Sequence, residues 1–178
     1  MTLANLSPSA NAYISLGSNL DDRAGNLLLA VRGMLDSGLV VSRLSSVYET
    51  EPVGNSQQRD MPPFLNMVAE LRIPLPPPEQ LLAQLLRIEY SLGRTREVAG
   101  GPRTIDLDLL LCGVETRGTE FLTLPHPRLH QRRFVLVPLT ELAPRLIHPT
   151  LQKLVSDLLE ETEDKSEVRL WRSQNRLR

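Results

Sequence analysis

Lysine and cysteine are scarce in this chain of 178 residues. Only Lys153 and Lys165 of its 20 basic side chains are lysines, and Cys112 is the single cysteine. One cysteine excludes a disulfide within the chain, so we expect a reducing, cytoplasmic location. No apolar run approaches the ~18 residues that a membrane-spanning helix needs, and the first residues do not resemble a signal peptide. The formal net charge of −1 gives no overall attraction for nucleic acid or an anionic membrane.

The usual phosphate-binding loops are missing as well. The turn "LGSNLDDR" does not fit the G-x-x-x-x-G-K-[ST] pattern, and the protein-kinase signatures are absent. If the chain binds phosphate, arginine side chains and metal ions have to do the work of backbone N–H groups. A GC-rich genome also produces an arginine-rich composition, so only the arrangement of the arginines is informative.

Two carboxylates lie inside an otherwise apolar segment, "RTIDLDLLLC", which predicts a strand over residues 104–112. Alternate strand residues share a face, so Asp106 and Asp108 should point one way with Leu110. The opposite face should send four apolar residues into the core: Ile105, Leu107, Leu109 and Leu111. Carboxylates two residues apart can converge on one Mg²⁺ or on two ions about 3.5–4 Å apart. The alternative is a solvated face whose charges deter edge pairing.

Cationic side chains surround this acidic pair in the sequence. Arg94, Arg96 and Arg103 precede it, and a later basic loop adds His126 and three arginines: Arg128, Arg132 and Arg133. Two like charges on one face are unfavourable unless cations lie close. Metal ions and a polyphosphate between the carboxylates and the arginines would satisfy both sets. Residues 94–102 are interpreted as a mobile lid that brings Arg94 and Arg96 to the ligand. The alternative is an ordinary exposed loop.

The order of predicted elements is typical of a ferredoxin-like α+β fold. Strands at 12–16, 40–50, 64–73 and 104–112 alternate with two helices in a βαββαβ pattern, an antiparallel sheet with helices packed on one face and extra C-terminal elements. We expect Asp21 or Asp22 to begin the first helix, whose apolar residues are Leu27, Leu28, Val31, Met34 and Leu35. Gly38 and Gly93 should end the two helices. Periodicity leaves residues 134–144 open between helix and strand, and Thr150 should cap a last helix. One domain is predicted at 11–160, with a loose arm at 1–10 and a peripheral tail at 161–178.

Four stretches resemble the 6-hydroxymethyl-7,8-dihydropterin pyrophosphokinase family of the folate pathway. They are "AYISLGSNL" (12–20), "SSVYETEPVG" with "FLN" (45–54 and 64–66), "GRTREVAGGPRTIDLDLLL" (93–111) and "LPHPRLHQRRFVLVPLTELAP" (124–144). The resemblance implies a ferredoxin-like α+β fold. It also implies an ATP-dependent diphosphotransferase, which transfers pyrophosphate from MgATP to the hydroxymethyl oxygen of the pterin and releases AMP. Attack would then fall on the β-phosphorus.

The resemblance also implies roles for particular residues. Two Mg²⁺ ions would bind Asp106 and Asp108, and these aspartates would be catalytic together with Arg94 and Arg103. Contacts to ATP would come from Glu89, Arg96, Arg103, Leu109, His126 and Arg132. The pterin would bind between Phe64 and Phe134, with its polar edge at Thr50, Val53, Gly54 and Asn66. The expected partners are these two small molecules, with a monomeric protein and neither nucleic acid nor membrane.

Two other functions compete with this one. A D-x-D glycosyl transferase would also use a metal and a nucleotide, but such folds usually have a parallel sheet and a longer chain. A non-catalytic ferredoxin-like module could bind RNA, but that function favours a basic, aromatic sheet face. Aromatic residues make up only 4% of this chain, and its net charge is not positive.

Overall fold

An antiparallel sheet is the centre of the computed structural model, which describes residues 11–52, 61–94 and 101–172. Six described strands form this sheet: β1 (Ala12–Ser18), β2 (Val40–Leu44), β3 (Tyr48–Thr50), β4 (Phe64–Arg72), β5 (Asp106–Cys112) and β8 (Val168–Leu170). Their order is β5-β1-β4-β3-β8, and β2 pairs with the same edge of β4 as β3 does. A separate small hairpin consists of β6 (Arg117–Gly118) and β7 (Thr123–Leu124).

Four helices of the described residues pack around the sheet: α1 (Arg23–Asp36), α2 (Pro78–Ser91), α3 (Arg133–Leu142) and α4 (Val155–Glu161). A short 3₁₀ helix, Leu129–Gln131, precedes α3. Asp22 caps α1 as expected, because its carboxylate accepts a hydrogen bond from the backbone N–H of Gly25 at 3.0 Å. Gly38 and Gly93 follow the two long helices with φ near +80°, so both predicted stops are confirmed.

The two faces of the sheet are covered by different helices. One face packs against α1 and α2 through alternate residues of β4, Leu65, Met67, Ala69 and Leu71. The other face packs against α3 and α4 through Tyr13, Val68, Leu110 and Leu111. The βαββαβ core therefore has its helices on one face, and the C-terminal helices cover part of the other. This arrangement confirms the ferredoxin-like prediction.

The strand that carries the two aspartates departs from simple alternation. Tyr13 pairs with Leu111 while Ile14 pairs with Leu109, so β5 has one extra residue, Leu110, at a bulge. Leu110 and Leu111 both pack in the core beneath α3, and the expectation that Leu111 points the other way is wrong. The bulge shifts the alternation after Asp108, so the two carboxylates keep their shared face.

Other boundaries also differ from the predictions. The expected strand at 40–50 is divided into β2 and β3, and between them the hydroxyl of Ser45 accepts a hydrogen bond from the N–H of Val68 at 2.9 Å. Leu28 and Leu35 face solvent rather than the core. The open segment 134–144 is helix α3. Thr150 does not cap the last helix: residues 148–153 form a turn with Gln152 at φ +55°, and α4 begins at Val155.

No sequence pattern predicts the last strand. Within the expected tail, β8 pairs along β3, and the N–H of Trp171 donates to the carbonyl of Val47 at 2.9 Å. Residues 168–171 therefore extend the sheet at its outer edge. None of the helices in the described ranges is long and apolar enough to cross a membrane.

Candidate functional site

Asp106, Gly17 and Asn66 form one row across three neighbouring strands. The register pairs Gly17 with Asp106 on β5 and with Asn66 on β4. Paired residues of antiparallel strands present their side chains on the same face, so a carboxylate and an amide flank a position without a side chain. A Cβ atom built on Gly17 would lie 3.0 Å from Oδ1 of Asn66. The glycine therefore allows the amide oxygen of Asn66 to approach the backbone of β1 closely.

Asp106 is held between two arginines. Its Oδ1 lies 2.7 Å from Nη2 of Arg94, and its Oδ2 forms a hydrogen-bonded ion pair with Nη1 of Arg103. All three side chains are at least three-quarters buried. The sequence predicted that cations would lie close to the carboxylate, and the structure places them on both of its oxygens.

The end of α2 explains where Arg94 lies. Gly93 takes a left-handed conformation that allows the N–H of Arg94 to bond to the carbonyl of Glu89 at 3.1 Å, as in a Schellman motif. The Arg94 side chain turns back to form an ion pair with the Glu89 carboxylate. Because both contacts go to the last turn of α2, Arg94 is anchored at the first residue of the expected lid.

Glu89 connects this helix end to the strand of the aspartates. Its Oε1 accepts from the backbone N–H of Leu107, between Asp106 and Asp108, at 2.6 Å. Burial raises the pKa of Glu89, although the Leu107 hydrogen bond and the charge of Arg94 oppose that rise. Glu89 therefore orients both β5 and Arg94, in addition to any nucleotide contact.

Asn19 positions Arg103, and the sequence did not reveal this role. The backbone N–H of Arg103 donates to Oδ1 of Asn19 at 2.8 Å, and the N–H of Asn19 donates to the carbonyl of Arg103 at 3.2 Å. Asn19 is 1% exposed. The motif "GSN" predicts only a turn, because a contact across 84 residues leaves no local pattern in the sequence.

Asp108 faces a second pair of basic side chains. Its Oδ2 lies 3.7 Å from Nη1 of Arg132 and 3.9 Å from Nε2 of His126, both longer than hydrogen bonds. Burial raises the pKa of Asp108 and Asp106 raises it further, while His126 and the arginines oppose the shift. Burial also lowers the pKa of His126, against the attraction of Asp108. These spacings leave room for an ion or a ligand oxygen at Asp108.

A buried polar pair lies on the other side of Gly17. Nδ2 of Asn66 donates to Oγ1 of Thr50 at 2.7 Å, and both side chains are less than 5% exposed. Phe64 lies on the same face of β4, two residues before Asn66. Phe134 is the second residue of α3, and the guanidinium of Arg132 lies 5.5 Å from the centre of its ring.

Most of the candidate residues therefore lie on one face of the sheet or at its rim. These are Thr50, Phe64, Asn66, Glu89, Arg94, Arg103, Asp106, Asp108, His126, Arg132 and Phe134. Leu109 does not join them: its side chain is buried in the core against α1 and α2, so only its backbone could approach a ligand. Val53, Gly54 and Arg96 lie outside the described residues.

The donor set fits magnesium bound together with a phosphate ligand. In the described ranges, no group of three or more His, Cys, Asp or Glu side chains could hold a metal ion alone. Two carboxylates on one face match the preference of Mg²⁺ for one or two carboxylates, with water and phosphate oxygens as its other ligands. A magnesium ion at these carboxylates would therefore take its remaining ligands from water or phosphate.

Comparison with known proteins agrees with this arrangement. A family model described as 7,8-dihydro-6-hydroxymethylpterin-pyrophosphokinase matches residues 13–144. The chain is 43% identical over 165 residues to the 2-amino-4-hydroxy-6-hydroxymethyldihydropteridine pyrophosphokinase of Bacillus subtilis, covering 92% of each protein. It is 40% identical over 162 residues to the enzyme of the same name from Haemophilus influenzae, covering 89% of this chain and 97% of that protein.

The solved structures support the fold. A Plasmodium falciparum HPPK-DHPS triple mutant superposes with a TM-score of 0.66 at 15% identity, covering 84% of this chain. This chain spans 42% of the length of that one. The similarity therefore concerns one part of a longer protein and shows the shared architecture alone.

Proposed function

This chain belongs to the 7,8-dihydro-6-hydroxymethylpterin-pyrophosphokinase family, and from that premise we propose that it makes the pterin diphosphate of folate biosynthesis. The hydroxymethyl oxygen of 6-hydroxymethyl-7,8-dihydropterin attacks the β-phosphorus of ATP. The bond from that phosphorus to the α,β-bridging oxygen breaks, AMP leaves, and the hydroxyl proton is lost. The observation that carries the proposal is the shared face of Asp106 and Asp108, with arginines on both sides.

The nucleotide phosphates are proposed to lie among three arginines and a histidine, which can all donate hydrogen bonds to phosphate oxygens. Arg94 and Arg103 approach from the Asp106 side, and Arg132 and His126 approach from the Asp108 side. These groups would neutralise the charge of a triphosphate along its length. They would also stabilise the negative charge that develops in the transition state of the transfer. Guanidinium groups suit this role because they grip phosphate oxygens with two parallel N–H bonds.

Asp106 and Asp108 are the proposed ligands of Mg²⁺, with two ions expected. When bound, magnesium would neutralise phosphate charge and favour the reactive orientation of the hydroxyl group. Asp106 already uses both oxygens to hold Arg94 and Arg103. A cation at Asp106 would compete for those oxygens, and each arginine that it displaced would become available to the phosphates.

The pterin is proposed to lie on the Asn66 side of Gly17. Asn66 can donate and accept hydrogen bonds, as the aminopyrimidinone edge requires, and Thr50 fixes its orientation. Phe64 and Phe134 would pack against the two faces of the ring. This placement brings the hydroxymethyl group toward Asp106, because only Gly17 separates the two polar groups in the row.

The identity of the nucleotide product tests the proposal. The protein is incubated with MgATP and 6-hydroxymethyl-7,8-dihydropterin, and the nucleotides are separated by chromatography. We expect AMP and the pterin diphosphate in equal amounts, and no AMP when the pterin is omitted. Formation of ADP, or of AMP without pterin, would contradict diphosphoryl transfer to this acceptor.

We also propose that the protein acts as a monomer in the cytoplasm. A lone, buried Cys112 fits a reducing compartment. Sedimentation at several protein concentrations tests the first point, and a concentration-dependent dimer would contradict it.

A further inference from the structure

Helix α3 begins with help from a distant part of the chain. Its N-cap residue, Arg132, makes no side-chain capping bond to the described residues. Instead, the N–H of Arg133 donates to Oδ2 of Asp164 at 2.8 Å, across 31 residues. A carboxylate at this place satisfies one of the unpaired N–H groups of the helix and interacts favourably with its dipole.

Asp164 is itself held in one orientation. Its Oδ1 accepts from the N–H of Ser166 at 2.9 Å, and its own N–H donates to Oγ1 of Thr162 at 3.3 Å. The chain then continues into β8, where Val168 pairs with Thr50 on β3. The same short segment therefore contacts α3 at one end and the strand of Thr50 at the other.

The residues on each side of Arg133 belong to the proposed site. Phe134 is proposed to cover the pterin, and Arg132, whose guanidinium lies 5.5 Å from the Phe134 ring, faces Asp108 at 3.7 Å. Arg133 lies between these two residues in the chain. Its backbone hydrogen bond to Asp164 therefore restrains the backbone that carries both side chains. A small rotation of the first turn of α3 would move the Phe134 ring directly.

We propose that Asp164 is a positioning residue that fixes the first turn of α3, and thereby Phe134, over the pterin site. The inference rests on the proposed function, since it takes the pterin to bind against Phe134. It assigns a role in substrate binding to the C-terminal segment, which lies beyond the residues that the family model matches.

The test compares variants of the full-length protein. Asp164→Ala removes the acceptor. Arg133→Pro removes the donor, and proline is well tolerated at the first position of a helix when the preceding residue is extended, as Arg132 is. Arg133→Ala keeps the N–H and controls for the lost side chain. Ala30→Gly, inside α1 on the opposite face, controls for general loss of stability.

Affinity for 6-hydroxymethyl-7,8-dihydropterin is measured by fluorescence titration with a saturating non-hydrolysable ATP analogue. We expect Asp164→Ala to weaken pterin binding about 3- to 10-fold. Arg133→Pro should weaken it similarly relative to Arg133→Ala, and Asp164→Ala should add little in the Arg133→Pro background. Affinity for the ATP analogue should change less than two-fold, because the long Arg132 side chain can readjust.

Three outcomes would overturn the inference. The first is unchanged pterin affinity in Asp164→Ala, and the second is that Asp164→Ala weakens pterin binding as much in the Arg133→Pro background as in the wild type. The third is the same loss of pterin affinity in Ala30→Gly at a matched melting temperature. Phe134→Ala separates this failure from failure of the proposed function. If Phe134→Ala leaves pterin affinity unchanged, the pterin is not bound against this ring, and the proposed site itself is wrong.

Discussion

Asp106 and Asn66 lie in the same row of the sheet, one on each side of Gly17. The missing side chain at Gly17 leaves room for the Asn66 amide. A phosphate held beside Asp106 by arginines and magnesium, and a heterocycle held at the amide, would therefore lie close together across the glycine. The register of three strands, rather than any loop, sets the distance between the two proposed substrates.

Gly17→Ala tests the close approach at this row. The added Cβ would lie 3.0 Å from Oδ1 of Asn66, so the amide must shift by a few tenths of an ångström and its bond to Thr50 would be strained. We expect pterin affinity to fall by roughly 5- to 30-fold, the effect of about 1–2 kcal/mol from an impaired buried hydrogen bond. Calorimetric titration with each substrate measures it.

The control for this prediction is Asn66→Ala, which removes the amide. It should also weaken pterin binding and leave ATP affinity nearly unchanged. If Gly17→Ala lowers affinity for both substrates equally while Asn66→Ala affects the pterin alone, the added methyl group disturbs the sheet rather than the amide.

Asp106→Asn and Asp108→Asn test the proposed metal ligands. Each should reduce turnover at least ~100-fold, because a bound metal ion supplies several kcal/mol of transition-state stabilisation. Steady-state kinetics at varied Mg²⁺ measures the loss, and circular dichroism checks the fold. Asp36→Asn, on the exposed side of α1, is the matched control and should be active. Near-normal rates in either site variant would refute the assignment.

Arg94→Ala separates a role in the reaction from a role in binding. If Arg94 stabilises the transferring phosphoryl group, kcat should fall roughly 100-fold while KM for ATP changes little. Arg32→Ala provides a matched arginine deletion on the surface of α1, where the side chain forms an exposed ion pair with Asp36. A large rise in KM at unchanged kcat would make Arg94 a binding residue.

The pH dependence of stability tests the Asp164 contact. Burial alone would raise the pKa of Asp164, but hydrogen bonds from Ser166 and from the N–H of Arg133 outweigh it and lower the pKa. A lowered pKa in the folded state gives stability that is complete above the unfolded value of ~3.9 and is lost as pH falls through the folded value. Urea unfolding should therefore show wild type about 1 kcal/mol more stable than Asp164→Ala at pH 7, and less so at pH 3. A difference that grows in acid would contradict the contact.

Local patterns were sufficient for much of the fold. Asp22, Gly38 and Gly93 marked helix ends because caps and left-handed glycines act within a few residues. Alternation around Asp106 placed both carboxylates on one face. The same rule was wrong for Leu111, because a bulge depends on how a strand pairs with its neighbour.

Long-range contacts account for what the sequence left hidden. Asn19 holds Arg103 across 84 residues, and Asp164 holds Arg133 across 31. Neither contact leaves a periodic signal, since each is a single hydrogen bond between distant segments. The edge strand β8 is three residues long, and such a short segment has no detectable alternation.

A crystal structure with Mg²⁺, a non-hydrolysable ATP analogue and 6-hydroxymethyl-7,8-dihydropterin tests the central claim most directly. The account predicts metal–oxygen distances of about 2.1 Å to both Asp106 and Asp108, phosphates among Arg94, Arg103 and Arg132, and the pterin beside Asn66. A nucleotide bound elsewhere, or magnesium that contacts neither carboxylate, would contradict it.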